Sequence, residues 1–325
     1  MKRTLIYSIL IFISLTCSCS NSRGKNGDFF GNIGTGGLSG VYYPAGEAIS
    51  KIVNEKTDEL RIRLTAESTG GSVANVSGMV NGQLSFGLVQ SDRLSQAYNG
   101  EGYWYNAGPQ SKLRVICALH PESVTFVAAY DSNIQSVVDL KDKVVSIGSQ
   151  GSGQWQNSVD TLRAFGIDWK KDINSAVLAS SELAIALQSG KIDAYFYTVG
   201  HPSGSFEEAI SGMRKVHFVP IVLKDSFYTS HKYYSPSLIQ IKNYPGVKNE
   251  KDVKTFGVRA SFCTTTDVSE ETVYLITKQL FENLDELKKL HPALAVLTKK
   301  NMLQGLAAPI HDGAMKYYKE IGLKS

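Results

Sequence analysis

The chain reads as an α/β protein built on a mostly parallel sheet, and three observations carry that reading. Strand-like runs alternate with helix-like runs from Phe29 to Val199. At three strand-to-helix junctions stands a turn of glycine and hydroxyl residues: Gly34-Thr35-Gly36-Gly37, Ser68-Thr69-Gly70-Gly71-Ser72 and Gly148-Ser149-Gln150-Gly151-Ser152-Gly153. The third turn restarts the series after an interval, and 325 residues exceed one ordinary core, so two α/β units are expected.

Each element follows from periodicity and its punctuation. Phe29 to Ile33 is a short strand candidate, followed by the first turn and by a helix from Tyr42 to Asn54 with Ala48, Ile49, Ile52 and Val53 at helical spacing. Leu60 to Ala66 alternates apolar Leu60, Ile62, Leu64 and Ala66 with polar partners, the pattern of a half-buried strand. The second turn opens a helix from Val73 to Asn81, and Ser85 to Val89 forms a strand ending in Gln90-Ser91-Asp92. Val124 to Tyr130 and Lys143 to Ile147 read as strands, with a short helical turn at Val137 to Leu140 between them. After the third turn come a helix from Gln154 to Phe165 that closes at Gly166, a helix from Glu182 to Gln188, and strands from Asp193 to Val199 and Val216 to Leu223. Beyond Val268 the chain reads as helical, with segments at Glu270 to Asn283, Leu294 to Gln304 and Ala314 to Ile321.

The turns suggest a chemistry. Glycine lets backbone approach a ligand closely, and helix N-terminal amides carry unpaired donors and partial positive charge, so three such turns predict a pocket for a small anion. In a parallel sheet that pocket lies beyond the carboxyl ends of the strands. A phosphate-cradling loop needs Gly-Lys-Ser/Thr, and none of the turns contains lysine. The first turn has Gly-x-Gly-x-x-x-Gly spacing, which departs from the dinucleotide fingerprint, and a Gly-x-Ser-x-Gly nucleophile elbow is absent. The six histidines are scattered without metal-ligand spacing, and Asp92 and Asp193 fit turn-capping better than an acid–base pair. Neither an enzyme nor a metal or other cofactor is expected.

Composition narrows the class further. Apolar content of 42% and charged content of 20% describe an ordinary globular chain. The net charge of +4 is spread among acids without a basic stripe, which argues against a nucleic-acid partner. Cys117 and Cys263 read as small buried hydrophobes, with a disulfide between them left open. Of the 16 tyrosines, Tyr42 and Tyr43 directly follow the first turn and are placed to cover a ligand's carbon chain.

The N-terminus predicts export. Met1-Lys2-Arg3 precedes an apolar run from Leu5 to Leu15 that is too short to span a bilayer. Cys17 and Cys19 and the polar stretch 20–27 then resemble a bacterial lipoprotein signal, with residues 1–19 as the signal segment, Cys19 lipidated and 20–27 a flexible tether. Thr16 stands three residues before Cys19, where that pattern has Leu, so cleavage and simple release is the alternative. No later apolar stretch reaches membrane-spanning length.

Several ordered segments resemble a TAXI-type solute receptor of the TRAP transporters, over nearly all of the mature sequence. They are Ile33 to Gly37 with Gly40 to Gly46, Glu67 to Val73 with Asn75, Gln90-Ser91-Asp92, Asp139-Leu140-Lys141, Ile147 to Gly153, Asp193-Ala194, Gly200-His201-Pro202, Phe218 to Ile221, and Ala308 to His311 with Gly313-Ala314. The resemblance implies a type II periplasmic-binding-protein-like fold, two lobes joined by crossing strands with ligand in the cleft between them. One lobe would comprise residues 28–119 and 223–325, the other 120–222. It implies a monomeric receptor, periplasmic or on the outer face of a bacterial membrane, held there by a lipid anchor only. Its ligand would be a small carboxylate of the glutamate, glutamine or 2-oxoglutarate (dicarboxylate) kind, passed to a TRAP membrane subunit. A sensor using the same fold to report to a signalling partner is the alternative. By matched position the ligand contacts would be Thr35, Gly36, Gly37, Tyr42, Tyr43, Ser68, Gly71, Ser72, Asn75, Gln90, Ser91, Ser149, Gly151, Ser152, Gly153, Gln154, Tyr197 and Gly200. Gln154 stands where the family usually has Thr, which points to a shifted ligand choice, and Asp312 replaces a usual Pro.

Overall fold

The computed structural model describes residues 27–149 and 151–323; the signal segment with Cys17 and Cys19, and the tether to residue 26, lie outside them. The chain runs β1 (Phe29–Gly34), α1 (Tyr42–Asn54), α2 (Thr57–Leu60), β2 (Ile62–Glu67), α3 (Ser72–Val80), β3 (Phe86–Gln90), α4 (Ser91–Asn99) and then the 17-residue β4 (Leu113–Ala129). It continues through β5 (Val144–Ser146), α5 (Gly153–Ala164), β6 (Asn174–Ala176), α6 (Leu183–Gln188), β7 (Ala194–Val199), α7 (Gly204–Ser211) and β8 (Val216–Val219). Then come α8 (Asp225–Ser230), β9 (Ser235–Ile239), the 13-residue β10 (Val253–Thr265), α9 (Glu270–Glu282), α10 (Leu284–Leu290) and α11 (Asp312–Glu320).

The strands form one sheet in the order β2-β1-β3-β10-β4-β7-β5-β6, with β8 also on β4 and β9 on β10. Each end is parallel: β1 pairs with β2 and β3, and β5 with β6 and β7. The middle is antiparallel, because β4 and β10 run past one another and pair with their neighbours in that sense. The expected mostly parallel sheet therefore holds for the two ends and not for the centre.

Local sequence accounts for most of this. In β2, Ile62, Leu64 and Ala66 are buried while Arg63, Thr65 and Glu67 face water, as the alternation predicts. The spacing in α1 buries Ala45, Ala48, Ile49, Ile52 and Val53 on one face. The expected strand from Val216 stops at Val219, since Pro220 has no N–H for the ladder. The helix expected over Leu294 to Gln304 does not form; two short 3₁₀ turns stand there, Pro292–Leu294 and Asn301–Leu303. The reason is side-chain competition for the backbone: Asn301 Oδ1 accepts from Thr298 N, Thr298 Oγ1 accepts from Asn301 N, and Asn301 Nδ2 donates to Val296 O.

Apolar burial divides at the crossing. One pair of clusters takes residues from β1, β2, β3, α1 and the start of β4, together with Ala260, Phe262, Cys263 and the helices after them. The other pair takes the end of β4, the chain from Ile134 to Ile221, and Tyr234, Ile239, Tyr244, Val253, Phe256 and Val258, joined across the cleft by Val41 and Ala293. Between them the ladder is irregular: its register shifts between Arg259 and Ser261, and Arg259 faces Pro121, a residue without an amide donor. Cys117 and Cys263 are buried and free.

At Gly257 a Cβ would run into the backbone carbonyl of Glu122, so the crossing tolerates no side chain there. Gly257→Ala is expected to lower stability by about 1–3 kcal/mol in denaturant unfolding. Gly204→Ala, where a Cβ meets nothing within 4 Å, is expected to change it by less than about 0.5 kcal/mol. Equal stability of the two variants would show that the crossing is free to shift.

Candidate functional site

Three helices aim their N-termini at one cavity of about 380 Å³, where the two halves of the sheet face each other. Those of α1 at Val41 and Tyr42 and of α3 at Gly71 and Ser72 come from one side; that of α5 at Ser152 and Gly153 comes from the other. Neither α1 nor α3 has a side-chain cap, so the first-turn amides of both remain for a guest. Gly71 holds φ +97°, a left-handed value that suits glycine and turns the chain sharply into α3.

The facing walls touch at points where only glycine fits. A Cβ at Gly37 would strike Ser180 Oγ, one at Gly40 the hydroxyl of Tyr197, and one at Gly153 the side-chain amide of Gln90. These three close approaches bring backbone from one wall against side chains of the other and leave a small, half-open space between them.

Of the residues expected to touch ligand, Gly36, Gly37, Tyr42, Ser68, Gly71, Ser72, Gln90, Ser149, Ser152, Gly153, Gln154 and Tyr197 line this cavity. Thr35, Tyr43, Asn75, Ser91, Gly151 and Gly200 are not among its lining residues. Thr35 is buried and donates to Glu67 O at 2.6 Å. Asn75 Nδ2 donates to Thr35 O and Leu88 O, both at 2.7 Å, and so ties the first turn to β3. Ser91 faces a second cavity beside the crossing, where its Oγ accepts from Arg259 N at 3.1 Å. A Cβ at Gly200 would come within 2.5 Å of the His120 ring, so this glycine serves packing. Gly151 supplies a second left-handed turn at φ +87°, and Tyr43 lies half-buried on α1.

Hydroxyl residues hold the turns in shape. Ser68 Oγ donates to Gly36 O at 2.9 Å, and Thr69 Oγ1 accepts from Gly71 N at 3.1 Å. Ser152 Oγ accepts from Trp155 N at 3.2 Å, which caps α5, and donates to Ser149 O at 2.7 Å.

Glu122 lines the cavity and was not among the expected contacts. It lies at the centre of β4, is 2% exposed, and its Oε2 accepts from the Tyr42 hydroxyl at 2.8 Å. Burial pushes its carboxyl up to about 8; the Tyr42 hydrogen bond opposes that shift and the charge of Asp92 adds to it. The sequence carries one signal for it: Glu122 is the only acid in the long apolar stretch from Leu113 to Ala129, next to a proline. Ser180, Ser181 and Thr198 also line the site without any motif to announce them. No lysine or arginine lines the cavity among the described residues. Tyr42 and Tyr197 are both held protonated by burial.

Residues 33–322 match the NMT1-like family. The chain belongs to that family. Its fold recurs in solved structures: the periplasmic binding protein BugD (14% identity, TM-score 0.58, covering 91% of this chain and 98% of that one) and a protein from Bordetella bronchiseptica RB50 (13%, 0.55, 90% and 98%). A binding-protein component of an ABC phosphonate transporter from Pseudomonas aeruginosa also shares it (11%, 0.51, 82% and 78%). The NMT1-like chain thus has the two-lobe α/β fold of periplasmic binding proteins.

The raised carboxyl of Glu122 has a consequence for stability. Its folded pKa of about 8 exceeds the unfolded value near 4.5, so the folded state holds the extra proton between them. The stabilising contribution is complete below about pH 4.5 and is lost as pH rises through about 8. The difference in unfolding free energy between wild type and Glu122→Gln, followed in ligand-free protein from pH 5 to 9, is expected to move against wild type across that window and then level off. A flat difference would mean that Glu122 titrates normally.

Proposed function

We propose that this chain is an extracytoplasmic solute receptor that closes on a small carboxylate without transforming it. One observation carries the reading: the N-termini of α1, α3 and α5 converge from opposite walls on a cavity whose rim, among the described residues, contains no basic side chain. Such amides and helix dipoles stabilise a carboxylate at low cost, because they are oriented before it arrives. A cavity of about 380 Å³ suits a metabolite of amino-acid or short organic-acid size. Turnover would call for a nucleophile with its base or for a metal, and neither is needed for capture.

In this reading the lobes hinge where β4 and β10 cross. One lobe comprises residues 28–119 and the end of the chain, the other the stretch that begins at 120; we move the return to the first lobe from residue 223 to about 260, a shift supported by the packing of Tyr234, Ile239, Phe256 and Val258 with the second lobe's core. Closure draws its free energy from ligand contacts made to both walls at once. The receptor works at the outer face of the membrane with Cys19 as its anchor and hands its ligand to a TRAP membrane subunit, as the TAXI-like motifs suggest.

Calorimetric titration of the purified protein against short organic acids and amino acids is expected to show saturable one-site binding, with the ligand recovered unchanged. Gly153→Leu, which drives a side chain into Gln90 across the cleft, is expected to abolish that binding while leaving the circular dichroism spectrum intact. Silence across the whole panel, or a chemically altered ligand, would sink the proposal. A TRAP membrane subunit that fails to take up ligand in the presence of the receptor would remove the transport assignment alone.

A further inference from the structure

We infer that the cavity behind the crossing is a second binding site, built for a dianionic oxyanion: phosphate, sulfate or the phosphoryl group of a small ester. This goes beyond the receptor reading and does not rest on it.

The two cavities lie on opposite faces of the crossing. Successive side chains of a strand alternate, and Glu122 lines the cleft while Pro121 lines the second cavity. That cavity measures about 440 Å³, and Arg259, which faces Pro121 in the ladder, also lines it. Its charge is the reverse of the cleft's. Among the described residues the cleft is lined by one acid, Glu122, and no base, whereas the second cavity is lined by Arg259 and Lys232 and no acid.

Arg259 is the anchor. It is half-buried, and its Nε is enclosed without a hydrogen-bond partner. Burial lowers its pKa. Arg93 shows the contrast: burial acts on it in the same sense, yet the charge of Asp92 at 3.1 Å helps to overcome that, and its pKa rises. A guanidinium drawn out of water with no carboxylate beside it carries a desolvation cost, and an anion in the cavity offsets that cost.

Neutral donors complete the site. Ser91 is 5% exposed, and its Oγ accepts from Arg259 N at 3.1 Å, which leaves its O–H to donate to a guest. The Tyr233 hydroxyl accepts from Gln96 Nε2 at 3.2 Å, and burial raises its pKa and keeps it protonated, so its O–H is left in the same way. Ser95 follows one turn after Ser91 on the same face of α4 and lines the cavity too. Two cations and these hydroxyls around one space match an anion of charge −2 with several acceptor oxygens. A monocarboxylate would leave one cation unbalanced. Val258, Leu306 and Ala307 supply an apolar wall, where the carbon body of an ester would rest.

The test is calorimetric titration of the full protein with sodium sulfate, inorganic phosphate and glycerol phosphate at about pH 7.5, with ionic strength held constant by sodium chloride. The expected result is one saturable site at which the three displace one another. Arg259→Gln is expected to weaken sulfate at least about tenfold, the worth of a charged hydrogen-bonding partner. Lys232→Glu, at an exposed position whose replacement leaves the fold intact, is expected to abolish binding, and it decides alone if Arg259→Gln does not fold. Lys319→Gln, an exposed lysine outside the cavity, is expected to change nothing, and so is Gly153→Leu, which blocks the cleft. Tighter binding of glycerol phosphate than of phosphate assigns the site to a phosphorylated metabolite, and equal binding assigns it to the free anion. The inference is overturned by absence of saturable binding, by binding that survives the cavity variants, by an equal loss in Lys319→Gln, or by a loss in Gly153→Leu, which would put the anion in the cleft. None of these outcomes bears on whether the cleft captures a solute.

Discussion

The antiparallel pairing of β4 with β10 is the constraint on which the rest of the structure depends. It runs from Leu113 opposite Thr265 to Ser123 opposite Gly257, and it carries the chain from one parallel end of the sheet to the other. Parallel ends need buried strands and helical crossovers, and each builds its own core on its own side of the crossing. The crossing itself is tight at Gly257, whose Cα faces a Glu122 carbonyl, and irregular near Arg259 and Pro121. Tightness there fixes where the two halves meet, and the interrupted ladder supplies the natural place for them to bend.

A buried polar cluster spans the same region. Asp92 and Arg93 on α4 form an ion pair at 3.1 Å, both almost fully enclosed. Asn157 on α5 donates to Asp92 at 2.7 Å, and the Tyr234 hydroxyl donates to Asp160 at 2.8 Å while accepting from Asn157 at 2.9 Å. Groups from opposite halves thus complete one another's hydrogen bonding. Buried charge is costly unless satisfied, so this cluster specifies one relative placement of α4 and α5 rather than adding much net stability. The same two helices follow Gln90 and Ser152, which border the cavity, so that placement also sets the width of the cleft.

Much of the two ends was legible locally. The alternation in β2, the apolar face of α1 and the glycine turns before α1, α3 and α5 each depend on residues within one or two turns of chain. The long β10 was not: it is buried on both faces and shows neither alternation nor helical spacing, and only pairing with β3, β4 and β9 makes it a strand. The segment after Leu294 misled for the opposite reason. Its apolar residues have helical spacing, yet Thr298 and Asn301 bind backbone more favourably than a helix would.

By itself the sequence determined the pocket's donors, because a glycine-hydroxyl turn leading into a helix exposes amides whatever lies opposite. It also placed Tyr42, Gln90 and Gln154 beside those turns. Only the tertiary structure decided what the donors face. Tyr42 meets Glu122 across 80 residues of chain, and Gly37, Gly40 and Gly153 find Ser180, Tyr197 and Gln90 through contacts no local pattern encodes. The physical reason is that an acid in mid-strand has no distinctive local geometry. Its meaning comes from burial and from neighbours, and both are supplied by the crossing of β4 and β10.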